Sequence, residues 1–257
     1  MTVFGIQSDI IWEDRFANFS AIDAMLAGAG PIPADSLLVL PELSTSGFTM
    51  NIAAVAEPKD GDSALYFSNL ARQNHCHVIA GIAGQGDSPA HGANEAVCFS
   101  PEGSEIARYR KMNPFTVAEE EKYYPAGKTP VVVQIGEWAV APLICYDLRF
   151  PEPFRQATAM GAEILVVIAN WPIVRVDHWT TLLRARAIEN QAYVIGVNRS
   201  GSDPNLQYPG SSLIVGPKGE VLAQAGSDAS VIRAELDREA LLQWRRDFPA
   251  LSCLKAH

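Results

Sequence analysis

Apolar residues in this chain come in short runs, and the spacing within them switches repeatedly between a strand-like and a helix-like period. A strand is predicted from Thr2 to Gln7, then an amphipathic helix from about Arg15 to Ala27 and a buried strand from Ser36 to Leu40. A second helix, about Ser63 to Asn74, leads to a strand from His77 to Gly81. Ala93 to Ser100 and Glu105 to Tyr109 flank Pro101-Glu102-Gly103-Ser104 as a hairpin. Strands follow at Val131 to Ile135 and Trp138 to Ile144, then a helix at about Pro153 to Met160 and a buried strand at Ile164 to Ala169. A helix around Trp179 to Gln191 and a strand at Tyr193 to Val197 come next. A final hairpin, Ser212 to Val215 with Val221 to Ala225, turns at Gly216-Pro217-Lys218-Gly219.

This order mixes βα units with hairpins. The expected fold class is α/β, with a mixed sheet or two packed sheets and helices outside, not a purely parallel barrel. No Ser/Gly tract, charge block or low-complexity run interrupts the chain, so one domain over residues 1–257 is expected.

Three buried strands run straight into polar or turn-forming residues: LLVLPELSTSGF after Ser36, VAPLICYDLRF after Ala139 and ILVVIANWP after Glu163. Strand ends that open into loops are where α/β proteins place ligands, so Glu42, Cys145 and Asn170 are expected to face one crevice.

Composition narrows the field. A net charge of −9 argues against a nucleic-acid binder, which needs clustered Lys and Arg to displace counterions. No apolar run reaches the roughly 20 residues that span a bilayer, and the first residues lack a basic start and a long apolar stretch, so the expected place is the cytoplasm. The four cysteines are far apart and form no CxxC pair, so free thiols are expected.

Cys145 needs a base, because a thiol of pKa about 8.5 is mostly protonated at neutral pH. No histidine is an obvious partner. Glu42, in apolar surroundings that would raise its pKa, is expected to take the thiol proton. Lys111, at the end of the strand Arg108 to Arg110, and the backbone N–H of Tyr146 suit a developing oxyanion. Taken singly, each residue has a plainer reading: Cys145 as core filler, Glu42 as a capping or ion-paired residue, Lys111 as part of a solvated basic face. Asp147 and Arg149 are expected to form a local ion pair.

The constellation gains weight because nearly the whole chain resembles the nitrilase superfamily of carbon-nitrogen hydrolases. PELSTSGF resembles that family's glutamate motif, YRKMNPF its lysine motif and LICYDLRFPE its cysteine motif, in the right order. ANWP, LLRARAIENQAYVIGVNRSGSD and YPGSSLIVGPKGE are similar to the ω-amidase branch. The resemblance implies a four-layer αββα sandwich of the nitrilase type, commonly paired through its cysteine side into a larger homo-oligomeric sandwich, hence a homodimer or higher homo-oligomer. It implies Cys145 as nucleophile, Glu42 as general base and then acid, and Lys111 as oxyanion stabiliser. It also implies a second glutamate that supports the lysine, which the spacing to Tyr124 and Gly127 maps best to Glu120, with Glu119 and Glu121 as neighbours. Where relatives carry His-Leu-Phe, this chain has Asn113-Pro114-Phe115.

The activity so implied is hydrolysis of the terminal amide of a small carboxylate-bearing substrate, such as 2-oxoglutaramate or 2-oxosuccinamate, through a thioester. It requires no metal or organic cofactor, no nucleic acid and no membrane. Arg175 is the expected carboxylate clamp, with Phe115, Asn170, Tyr146 and Trp171 lining the pocket. The alternatives are hydrolysis of an N-carbamoyl compound or a nitrile, a thiol redox protein built on Cys145, or a silent binding module on the same scaffold.

Overall fold

The computed structural model describes residues 1–253; residues 254–257, which include His257 and the end of the expected domain, lie outside the described residues. The first half comprises β1 (Thr2–Gln7), α1 (Arg15–Gly28), β2 (Leu37–Val39), α2 (Ile52–Val55), α3 (Asp62–Gln73), β3 (His77–Gln85), β4 (Gly92–Phe99) and β5 (Glu105–Arg110). The second half begins with β6 (Val133–Ile135), β7 (Trp138–Ile144), α4 (Pro151–Ala159), β8 (Ile164–Ala169), α5 (Val176–Asn190) and β9 (Tyr193–Asn198). It closes with β10 (Ser200–Ser202), β11 (Gln207–Pro209), β12 (Leu213–Val215), β13 (Val221–Gln224), β14 (Ser230–Glu235) and α6 (Arg238–Asp247).

Two six-stranded mixed sheets result, ordered β14-β1-β2-β3-β4-β5 and β13-β12-β9-β8-β7-β6, with β10 and β11 as a separate pair. In each the central three strands are parallel, β1-β2-β3 and β7-β8-β9. Antiparallel strands complete both edges. Alternation along the strands explains the layering. Val3, Leu37, Val39 and Ile79 join the core shared with the second sheet, whereas Phe4, Leu38, Leu40 and Val78 pack under Ile22 and Leu26 of α1 and Phe67 and Leu70 of α3. Gly5 of β1 leaves room for side chains packed around it: a Cβ there would meet the side chain of Ile232 on the neighbouring strand β14 at 3.0 Å and that of Val197 on β9 of the facing sheet at 3.1 Å. The expected αββα sandwich with mixed sheets and outer helices is the one observed. Among the described residues no helix is long and apolar enough to cross a membrane.

Several boundaries differ from expectation. β3 continues to Gln85, and α4 begins at Pro151, where a proline in the first turn lacks only an N–H that has no helical partner. β14, α6 and the β10-β11 pair were not expected from the pattern. β14 (SVIRAE) is an edge strand in which only Ile232 is buried, and α6 buries only Leu241 deeply, so neither carries a strong periodic signal.

Candidate active site

The strand ends singled out above meet at one place. Glu42 follows β2, Lys111 follows β5, Cys145 follows β7 and Asn170 follows β8. Glu42 reaches its position because the segment from Pro41 to Ser44 lies directly on β3. Gly81 N donates to Pro41 O at 3.1 Å, and Ser44 N donates to Gly81 O at 2.9 Å. A Cβ on Gly81 would fall against Pro41 O, Leu43 N and Glu42 Cα, so only glycine admits this approach.

The Glu42 carboxylate is fully buried and saturated with donors. Its Oε1 accepts from Lys111 Nζ and Asn94 Nδ2, both at 2.8 Å, and its Oε2 accepts from Asn170 N at 2.8 Å and Asn170 Nδ2 at 3.3 Å. Lys111 is 2% exposed; its Nζ also donates to Glu120 Oε1 at 3.1 Å and Oε2 at 2.9 Å, and lies 5.4 Å from the Phe48 ring centre. Of three consecutive glutamates, Glu120 is the buried one, whereas Glu119 and Glu121 are exposed. Glu120 further accepts from Asn94 Nδ2 at 2.9 Å and from Phe115 N at 2.6 Å. Pro114 therefore does not unhook the loop: the residue after it is tied to Glu120.

One ammonium thus sits between two carboxylates. Burial pushes the Lys111 ammonium down, but Glu120 and Glu42 outweigh it and hold its pKa well above the usual lysine value. Burial also pushes Glu42 up, yet the Lys111 charge with the hydrogen bonds from Lys111, Asn94 and Asn170 brings it below the usual carboxylate range. The expectation of a raised Glu42 is overturned, because the apolar strand that buries this side chain also delivers it to a cation.

Cys145 opens a 3-10 turn, Cys145–Arg149, with φ of 45°, a left-handed value rare outside glycine and found at strained turns that present a nucleophile. Its Sγ faces Asn170 O at 3.9 Å. Burial raises the thiol well above its usual pKa, Glu42 and Glu120 add to this, and Lys111 opposes them. In the resting site the proton therefore belongs to sulfur.

A pocket of about 410 Å³ opens over Cys145 and Lys111. Tyr146, Phe115, Trp171 and Asn170 line it, together with Phe48 and Tyr208. The Phe115 and Tyr146 rings meet edge to face at 5.0 Å. Asn170 has a further task, since its Nδ2 also donates to Glu42 O at 2.7 Å. Trp171 is held by Asn198, whose Oδ1 accepts from Trp171 N at 2.7 Å, and by its own Nε1 donating to Arg175 O at 2.7 Å.

Arg175 lies in the pocket wall, 5.2 Å from the Phe115 ring, but it is not alone there. Arg149 lines the same pocket, 4.9 Å from the Trp171 ring, and no carboxylate pairs with either arginine among the described residues. Burial and then the Arg175 charge lower the Arg149 pKa. The expected Asp147–Arg149 ion pair is absent. Asp147 points the other way and accepts from Tyr109, Asn113 and Ile144.

Asn94 and Arg149 escaped the sequence reading. Asn94 had a signal, a polar residue at a fully buried position within the apolar strand GANEAVCF. Arg149 was obscured by the nearby aspartate.

Residues 2–246 match the carbon-nitrogen hydrolase family. The chain is 39% identical over 247 residues to omega-amidase YafV of Escherichia coli K12, covering 95% of this chain and 93% of that one. It is 37% identical over 222 residues to the 2-oxoglutaramate amidase of Bacillus subtilis 168, covering 85% of each. Among solved structures, XC1258 of Xanthomonas campestris, a CN-hydrolase superfamily protein with an arsenic adduct in its active site, superposes with a TM-score of 0.92. It is 29% identical, and the match covers 100% of this chain and 98% of that one.

Proposed function

This chain belongs to the carbon-nitrogen hydrolase family, and we propose that it hydrolyses the terminal amide of a small carboxylate-bearing substrate. The observation that carries this reading is the junction of Cys145 with the buried Glu42–Lys111–Glu120 cluster beneath a pocket holding two arginines that no carboxylate pairs among the described residues. Names of relatives, omega-amidase and 2-oxoglutaramate amidase, support an ω-amide of a 2-oxo acid as the substrate class.

The proposed steps follow from where protons reside. Because Glu42 is an anion and Cys145 a neutral thiol at rest, the thiol proton passes to Glu42 as sulfur adds to the amide carbon, without a standing thiolate. The carbonyl oxygen becomes an oxyanion against Lys111 Nζ and the Tyr146 N–H; the latter lies in the first turn after Cys145, where no preceding carbonyl claims it. Glu42 returns the proton to the leaving nitrogen, ammonia departs and a thioester remains. Water, losing its proton to Glu42, attacks the thioester; the acid leaves and sulfur regains its proton. Glu120 keeps Lys111 charged throughout, and Asn94 and Asn170 keep Glu42 aimed.

In the wall of the same pocket Arg175, with Arg149, takes the substrate carboxylate. Ammonia release from a panel of ω-amides, N-carbamoyl compounds and nitriles tests the reading. Expected are turnover of 2-oxoglutaramate or 2-oxosuccinamate, loss of at least about a thousandfold in Cys145→Ala and Glu42→Gln, and a raised KM in Arg175→Ala. No ammonia from any member, or full activity in Cys145→Ala, sinks the hydrolase mechanism; turnover confined to the carbamoyl compounds or nitriles moves the substrate class; unchanged Arg175→Ala kinetics remove that residue from the site.

A further inference from the structure

Asp147 is a fully buried carboxylate that takes no part in the steps above and lies outside the pocket lining. No lysine or arginine pairs with it among the described residues; its partners are four neutral donors. Asp147 Oδ1 accepts from Asn113 N at 2.8 Å and Asn113 Nδ2 at 2.9 Å. Its Oδ2 accepts from Tyr109 OH at 2.7 Å and Ile144 N at 2.9 Å. Tyr109 OH in turn accepts from Met112 N at 3.2 Å.

The position of these donors in the chain gives the cluster its meaning. Tyr109 and Asn113 bracket Lys111, and Ile144 and Asp147 bracket Cys145. One carboxylate therefore ties the segment bearing the lysine to the turn bearing the thiol, across two different sheets. It also braces the turn in which Cys145 holds its left-handed backbone, through the Ile144 N–H, while the main-chain carbonyl of Asp147 accepts from Phe150 N at 3.0 Å. Asn113 suits this junction because its backbone and side chain donate to one oxygen together.

We propose that Asp147, with Tyr109 and Asn113, is a positioning cluster that sets Cys145 against Lys111. The inference rests on the reading of Cys145 as the attacking thiol. None of the three touches the substrate pocket, so their loss acts through Cys145 and appears in kcat, not in substrate affinity.

The test pairs steady-state kinetics on the amide that the substrate panel identifies with the rate of Cys145 alkylation by iodoacetamide, followed by mass on the Cys145 peptide so that exposed Cys253 does not confuse it. In Asp147→Asn an NH2 group replaces one acceptor and faces donors; kcat is expected to fall about tenfold or more with KM within about twofold. The alkylation rate is expected to shift by a similar factor. Asn113→Ala and Tyr109→Phe each remove one donor and are expected to lower kcat about threefold to tenfold, and together by less than the product, because both act on one carboxylate. Asn113→His, which restores a side-chain N–H, is expected to recover at least about half of the wild-type kcat. Folded variants with unchanged kcat and unchanged alkylation overturn the proposal, as does a loss confined to KM. If Asp147→Asn fails to fold, the two donor variants decide. Absence of amide turnover in wild type would instead overturn the hydrolase reading, whereas the alkylation rates judge the cluster without any substrate.

Discussion

A buried carboxylate without a cation beside it has a thermodynamic signature. For Asp147, burial raises the pKa above the usual aspartate value of 3.8, and the donors from Ile144, Tyr109 and Asn113 together with the charge of Lys111, which is not in contact with it, only partly oppose this. The folded protein therefore holds this proton at a pH where the unfolded chain has released it. Asp147 favours folding below its unfolded value and loses that contribution as pH rises through its folded value. Lowering the pH from 7 towards 4 should raise the Tm of wild type relative to Asp147→Asn, as read by calorimetry; a constant gap would mean that Asp147 does not titrate in this window. Glu42 has the opposite sign. Its lowered pKa gives stability above the unfolded value that is lost only as pH falls through the folded one. At this scale the chemical types of Glu42, Lys111 and Cys145 were legible as strand-end residues, but their protonation was not. Glu42 reads as a carboxylate in apolar sequence, and only the fold reveals a lysine 69 positions away at 2.8 Å.

Strands and their ends were the most legible elements. β1, β7 and β8 match their expected bounds, since each is a compact apolar run framed by polar residues. Elements of mixed character, such as β14 and α6, carried no such frame. The β2 end shows how an element makes a site: a loop brings a carboxylate onto the neighbouring strand β3 at Gly81, a position that lacks a side chain. Gly81→Ala should push the Glu42 segment away from β3, with kcat falling about tenfold or more through misplacement of the proposed base. The accompanying stability loss should be about 1–3 kcal/mol, the usual range for overpacking. Kinetics alongside a urea titration measures both, and an unaltered kcat would show that the segment flexes without moving the carboxylate.

For the molecule as a whole, the two sheets divide the chemistry. Glu42, Asn94 and Lys111 come from the first sheet or its ends, and Cys145 and Asn170 from the ends of the second. The mixed αββα class could be read from alternating βα units and hairpins, whereas the stacking of one half on the other depends on which face of each strand is turned inward. Ile79 of β3 is fully buried in the core shared by both sheets. Ile79→Ala should destabilise the protein by about 2–5 kcal/mol, the range for such truncations, as measured by urea unfolding. A loss near zero would mean that the inter-sheet layer closes up around the gap.

Because the proposed base and thiol hang from opposite sheets, the thickness of the apolar layer between them would work as a calliper on the proposed reaction. Side chains that never meet a substrate set the gap its carbonyl must fit, so methyl groups in that layer are a means of tuning turnover from a distance.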